Sequence, residues 1–515
     1  MPLREYTIHR YVVAFCPHCH DEDPARPLDQ VERLSGYLAE ADDQIWLVRG
    51  CRRHGQVVTL YDEDPEILRY LEQWTATTKV HVPDTVGNYR PLPEAYLAGL
   101  PELQTQHTCI LLEDITEVCN LRCPTCFAES SPALTGVAAP EEILANIDQR
   151  LARENGQLDV LMLSGGEPTI YPGFLDLLDR VLERNVVRVL INSNGIEIAR
   201  NDRLLDYLAA HSDRIEVYLQ FDGFRKETYL HHRNADLRSL KERAVLRLSA
   251  AGVFTTLTMT ASLGVNDDEI GAVVEHALDT PFVGGVSIQP QFGSGRSTPL
   301  DPRSRLTHTG VLKRLGPQTG GRVEWRDLIA LPCSHPHCCS VGYMLRTDQG
   351  EWKSLVSIVG HERLAQHLDL VANRIVDPDL DAQLRALVKE SLLGLFSEQS
   401  SLTHPTVGDL FRQVCEACDL GIAGLLRAAG AAASRKRLRE LMAHRVKRIT
   451  IKPFMDINTM IEERLLQCCV HVGTRSELQD QCAPFCAVQA WAPLAAMKLP
   501  TAASRRQPEP VVLKV

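Results

Sequence analysis

Apolar and polar positions change their period along the chain. Short apolar runs of four to seven residues lie at 109–115 (CILLEDI), 160–163, 187–192, 215–221, 255–261 and 286–289. Between them lie stretches with apolar residues three and four apart, such as 173–184 and 237–251. The first kind fits buried strands and the second amphipathic helices. Their alternation over residues 109–310 predicts an α/β core, a parallel sheet of six strands with helices on its outside.

Outside that block the pattern differs. Residues 1–80 read as a small separate module with a strand-like run at 44–49 (QIWLVR). Residues 81–108 read as a connector, punctuated by Pro83, Gly87, Pro91, Pro93 and Pro101. Residues 311–500 are Cys-rich, with a helical stretch expected at 425–446, and 501–515 read as a mobile tail.

Composition adds bounds. A chain of 515 residues, 44% hydrophobic and 23% charged, is expected to form two or three globular domains. A net charge of −11 gives no global attraction to nucleic acid, and no nucleic-acid partner is expected. The N-terminal residues lack the features of a signal peptide. No stretch has the roughly 18 uninterrupted apolar residues of a membrane span, although peripheral membrane contact stays open. Sixteen cysteines in short-spaced groups then read as metal ligands in a reducing cytoplasm rather than as a disulfide framework.

The densest group is in residues 118–132 (VCNLRCPTCFAESSP), where Cys119, Cys123 and Cys126 stand at C-x3-C-x2-C. Three soft ligands on one short loop suit an iron–sulfur cluster with one iron left without a protein ligand. The competing reading is a set of buried, incidental cysteines. The run 161–169 (LMLSGGEPT) then ends in Gly165, Gly166 and Glu167, glycines that allow close backbone approach by a ligand.

In this order, the two motifs resemble the radical S-adenosylmethionine (SAM) superfamily. The resemblance implies a partial (β/α)6 barrel, an enzyme, and a SAM-binding [4Fe–4S] cluster on Cys119, Cys123 and Cys126. Reductive cleavage of SAM would give a 5′-deoxyadenosyl radical that abstracts hydrogen from an unactivated carbon. The electron would come from a donor such as ferredoxin or flavodoxin. The GGE segment would receive the SAM amino group, for which a carboxylate is a suitable partner. Polar residues at other strand ends are candidates for ribose, carboxylate or substrate: Asn192 and Asn194, Gln220 and Asp222, Gln289 and Gln291. Each is alternatively a satisfied polar residue at a strand–loop junction. Thr125 stands before the third cysteine, where many members carry an aromatic residue, and Phe127 follows it as the candidate adenine contact.

Two further metal regions flank the barrel. Cys16 and Cys19 (CPHC) with Cys51 and His54 (CRRHG) form two half-sites for a tetrahedral zinc or a single iron, with His20 as a competing fourth ligand. Near the C-terminus, Cys333, Cys338, Cys415, Cys418, Cys468, Cys469, Cys482 and Cys486 are candidate ligands of one or two auxiliary [4Fe–4S] clusters, with Cys339 as the spare thiol. Core packing is the alternative for some of them.

The strings QHTC (106–109), CNLRCPTCFAES, QFDG, PCSHPHCC and CCVH…CAPFCA resemble tetraether-lipid-synthase-like radical SAM proteins, a group that includes pterin-methylating enzymes. Archaeal members carry a C-G-L-C-P element upstream of QHTC. This chain reads AGLPELQ there, which leaves Cys109 as an orphan. The resemblance implies C–C coupling of lipid alkyl chains. The alternative is radical methylation or modification of a small pterin-like heterocycle or a peptide. A regulatory iron–sulfur protein is the remaining reading.

Overall fold

The computed structural model describes residues 3, 5–74, 107–297, 299–365, 435–474 and 483–499. Cys415, Cys418, Cys482, most of the connector and the tail lie outside them.

The N-terminal module is an antiparallel sheet of β1 (Thr7–Ala14), β2 (Leu34–Ala41), β3 (Gln44–Cys51) and β4 (Gly55–Asp62) in sequential order. Asp42 and Asp43 join β2 to β3 with φ of 52° and 55°. That left-handed pair matches the right-handed twist of a two-residue hairpin.

The central sheet contains the six parallel strands expected from the alternating pattern. They are β5 (Ile110–Thr116), β6 (Leu158–Gly165), β7 (Val186–Ser193), β8 (Ile215–Gln220), β9 (Thr255–Ala261) and β10 (Val283–Pro290). Each pairs in parallel with the next. All of β5 is buried, as expected for a parallel strand covered on both faces. Helices Pro140–Arg153, Phe174–Leu182, Asp202–Ala210, Arg238–Ala250 and Ile270–Asp279 lie between strands.

The sheet does not stop at six strands. After β11 (Ile329–Ala330), β12 (Ser340–Arg346) and β13 (Trp352–Ser354), the chain returns as β14 (Val446–Ile451) and β15 (Val470–Val472). β14 pairs in parallel with β10, and β15 in parallel with β5. The Cys-rich region therefore adds one parallel strand to each edge of the arc. β12 then runs antiparallel to β14. Of the helix expected at 425–446, the described part is Arg435–Arg445, and Val446 already begins β14.

The N-terminal sheet is tied to this body. The backbone N–H groups of Glu63 and Asp64 donate to Thr307 and Thr309 hydroxyls at 3.1 and 2.9 Å. The buried Asp62 carboxylate accepts from Thr309 N–H at 2.9 Å and from its hydroxyl at 2.5 Å.

Candidate active site and metal centres

The loop bearing Cys119, Cys123 and Cys126 leaves the C-terminal end of β5, where strand ends of such barrels gather ligands. All three cysteines line one cavity of about 130 Å³, together with Phe127, Gly165, Gly166, Glu167, Asn194, Gln220 and Gln289. Burial pushes the Cys119 thiol up to about 12. The loop is strapped by Arg296, a residue with no motif around it. Its guanidinium donates to the carbonyls of Cys123, Glu129 and Ser130 at 2.8, 2.6 and 2.6 Å, and its N–H donates to Cys126 O at 3.0 Å. Gly295 precedes it at φ 54°, and a Cβ there would meet the Phe127 carbonyl at 2.5 Å.

The Gly165–Gly166 pair serves the chain's own packing. A Cβ on Gly165 would stand 2.3 Å from Thr116 O, and one on Gly166 would stand 2.0 Å from Val118 O. The space attributed above to a ligand's approach is filled by the backbone that leads into the cluster loop. Glu167 is buried and caps the short turn Pro168–Ile170. Its Oε1 accepts from Thr169 N–H at 3.2 Å, Thr169 hydroxyl at 2.5 Å and Ser193 hydroxyl at 2.8 Å. Oε2 accepts from Asn194 N–H at 2.7 Å. Burial raises its carboxyl above the usual range, against these hydrogen bonds. Only Oε2 has ready capacity for a further donor.

Asp222 requires a correction. It is fully buried and is not part of the cavity wall. Both carboxylate oxygens are taken by Arg233, at 2.6 and 2.7 Å. Burial alone would raise its carboxyl, but Arg233 holds it below the ordinary value. The cavity receives Arg233 instead, which also reaches Gln220 Oε1 at 3.0 Å. Gln220 in turn donates to Asn192 at 2.8 Å, and Gln289 donates to the Tyr218 hydroxyl at 3.0 Å. Asn194 donates to Asn120 at 2.6 Å. Gln291 lines the cavity and donates to Ser297 at 2.8 Å. Phe127 packs among Phe292 and Phe485 with ring centroids 5.8 and 5.6 Å away. Thr125 is hydrogen-bonded to His232 at 3.1 Å.

The N-terminal half-sites meet. Ligand atoms of Cys16, Cys19, Cys51 and His54 all lie within 4.8 Å of one another. Cys19 Sγ is 3.6 Å from Cys51 Sγ, and His54 Nδ1 stands 3.5, 3.4 and 3.5 Å from the three sulfurs. These are the edges of a tetrahedron around one ion with bonds of about 2.0–2.3 Å. Glu22 holds the outer nitrogen, Nε2, at 3.0 Å. Such a carboxylate orients a ligating imidazole. His20, the competing ligand, is turned to Ala490 O at 2.6 Å.

The described C-terminal cysteines separate into groups. Cys333 and Cys469 meet Cys109 within 4.8 Å, so Cys109 is not alone. Cys338, Cys468 and Cys486 interact electrostatically with one another, and Arg464 Nε lies 3.3 Å from Cys338 Sγ. All six, with Cys339, line a second cavity of about 170 Å³. It shares Ile110, Tyr218, Lys452, Phe454, Val470 and Phe485 with the first.

Comparison with known families decides what this barrel is. The family model described as the radical SAM superfamily matches residues 114–277, the stretch from β5 through the cluster loop to the helix after β9. Residues 114–277 form a radical SAM domain. A second model, the HMPTM N-terminal zinc ribbon domain, matches residues 8–63. A 7,8-dihydro-6-hydroxymethylpterin dimethyltransferase of Methanocaldococcus jannaschii is 24% identical over 515 residues, 93% of each chain. A GTP 3′,8-cyclase 1 of Pseudomonas aeruginosa is 29% identical over 54% of this chain and 87% of its own. Among solved structures, Streptococcus suis SuiB bound to S-adenosylmethionine aligns with a TM-score of 0.35 at 15% identity, over 46% of this chain and 54% of that one.

This radical SAM protein is an enzyme with a [4Fe–4S] cluster, SAM and additional metal sites as its cofactors. Among the described residues, no helix is long and apolar enough to cross a membrane. Sequence reasoning missed Arg233 and Arg296. Both sit far along the chain from the cysteines they serve, and an arginine on a helix or turn reads as solvent-facing until the fold closes on it.

Proposed function

We propose that this enzyme directs its radical chemistry at a small pterin-like heterocycle, with methylation as the reaction class. The observation that carries this reading is the polar wall of the cluster cavity. Asn192, Gln220, Arg233, Thr260, Gln289 and Gln291 all face it. These groups already bond to one another or to neighbours, but alkyl chains pressed against them would leave their remaining donors and acceptors unpaired, at a cost of roughly 1–3 kcal/mol each. A ring with donors and acceptors along its edge would pair with them instead. The printed activity of the Methanocaldococcus jannaschii relative, a pterin dimethyltransferase, supports the same reading.

Cys119, Cys123 and Cys126 would hold the cluster, and their shared place on one wall fits three corners of it. The cluster, when bound, supplies the electron that cleaves SAM reductively. The chain's own groups do the rest. Arg296 fixes the loop through four backbone contacts. Glu167 Oε2 offers an acceptor to the SAM ammonium, and Arg233 offers a cation to its carboxylate. Phe127 closes the apolar side against Phe292 and Phe485. The electron donor would be a small one-electron carrier of the ferredoxin or flavodoxin kind.

The test uses the reconstituted chain with a strong reductant and SAM deuterated in its methyl group. A reduced hydroxymethylpterin and a long-chain alkyl lipid are offered separately. The expected result is label in the pterin. Lipid coupling with an unmodified pterin would replace this reading, and SAM cleavage unaffected by either substrate would remove it.

A further inference from the structure

Cys109 precedes β5, Cys333 lies in the loop before β12, and Cys469 precedes β15, yet their three sulfurs lie within 4.8 Å of one another. Their exposures are 4, 1 and 4%. We propose that these three thiolates hold a single thiophilic metal ion, divalent zinc or iron, at a second mononuclear site in the wall of the Cys-lined cavity.

The spacing argues for one ion. Cys109 Sγ and Cys333 Sγ are 3.8 Å apart, against 3.6 Å for the Cys19–Cys51 pair of the zinc ribbon. Two thiolates on one tetrahedral ion, with metal–sulfur bonds of about 2.3 Å, stand at this separation. A [4Fe–4S] cluster holds each thiolate on its own iron, at its own corner, and so spreads them further. A disulfide would bring two sulfurs to about 2.05 Å and strand the third.

The backbone holds the set in place. The N–H groups of Cys109 and Ile110 both donate to Cys469 O, at 3.0 and 3.1 Å. The Cys333 loop is pinned where Ser334 N–H donates to Leu331 O at 3.1 Å and Leu331 N–H donates to Cys339 O at 2.8 Å. His107 Nε2 lies 3.3 Å from Cys109 Sγ but outside the mutual set. It is placed to donate to a thiolate rather than to complete the coordination. Among the described residues no fourth ligand joins the three, and all three line the same cavity. This assignment takes Cys333 and Cys469 away from an auxiliary cluster and leaves Cys338, Cys468 and Cys486 there.

The site is tested by counting zinc, iron and acid-labile sulfide in the full chain, purified anaerobically and loaded with zinc. Iron and sulfide are equal in a [4Fe–4S] cluster, so zinc plus iron minus sulfide counts the mononuclear ions. The expected excess is about two per chain, one from the ribbon and one from this site. Cys109→Ser should lower it to about one with sulfide unchanged, and Cys51→Ser should remove the ribbon ion alone. An excess of one in the native chain would overturn the proposal without any variant having to fold. So would an unchanged excess in Cys109→Ser, or matched loss of iron and sulfide, which would make Cys109 a cluster ligand.

Discussion

Arg233 grips Asp222 through two hydrogen bonds of 2.6 and 2.7 Å, deep in the barrel where Asp222 has no exposed surface. Asp222 thereby reaches the cluster cavity through Arg233, and it also accepts from the backbone N–H of Thr260, another lining residue, at 3.2 Å. Removing one member of a buried pair leaves the other charge uncompensated, at a cost of about 3–5 kcal/mol. Asp222→Ala should therefore lower the denaturant midpoint markedly and also weaken SAM binding. Unchanged stability, measured by chemical unfolding, would show that water reaches the pair.

The Arg296 strap gives a second expectation. Hydrogen bonds from a charged donor contribute about 1.5–3 kcal/mol each, and this side chain makes three to the cluster loop. Arg296→Ala should slow cluster reconstitution and reduce bound iron and sulfide while leaving the ribbon ion in place. Metal and sulfide analysis of the same preparation reads both. Native iron content would mean the loop holds its shape unaided.

How much was legible in the sequence follows from the range of the signals. The cluster loop, the GGE turn and the two ribbon half-sites are local, and the structure brings the four ribbon ligand atoms within 4.8 Å of one another. Strands appeared because parallel strands are buried on both faces and read as apolar runs. Cys109 read as an orphan because its partners, Cys333 and Cys469, arrive from remote segments. The two added parallel strands were illegible for the same reason. β15 is only Val470–Val472, and its role depends on pairing with β5, far back in the chain.

Glu167 already accepts four hydrogen bonds from the protein. Glu167→Ala should weaken SAM binding by about 1.5–3 kcal/mol and loosen the turn as well. Glu167→Gln keeps the size and should separate the two effects. Equal SAM affinity of Glu167→Gln and the native chain in equilibrium dialysis would take this carboxylate out of the binding site.

In the ribbon, Glu22 orients His54 at 3.0 Å. Loss of such an outer partner typically costs 10–100-fold in metal affinity. Glu22→Ala should show that loss in a chelator competition, with the three thiolates intact. Affinity equal to the native chain's would mean that His54 is oriented by the fold alone.

Asp62 couples the ribbon to the barrel, and burial raises its carboxyl to about 6 from an ordinary 3.8. Between those two values the folded chain holds a proton that the unfolded chain has released. Stability from this group is thus greatest below about pH 4, falls as pH rises through 6, and stays lower above it. Asp62→Asn keeps an acceptor for Thr309 and removes the titration. Its stability relative to the native chain should rise across that interval, by roughly 2–3 kcal/mol at most. A constant difference in unfolding midpoint from pH 4 to 7 would exclude this role.

The central claim is that Cys119, Cys123 and Cys126 carry the cluster that cleaves SAM. The direct measurement is 5′-deoxyadenosine production by the anaerobically reconstituted chain under a strong reductant, beside a variant with all three cysteines changed to Ala. Production by the native chain and none by the variant, with the ribbon ion still bound, is the predicted result. 5′-Deoxyadenosine from the variant, or none from a native chain fully loaded with iron and sulfide, would contradict the account.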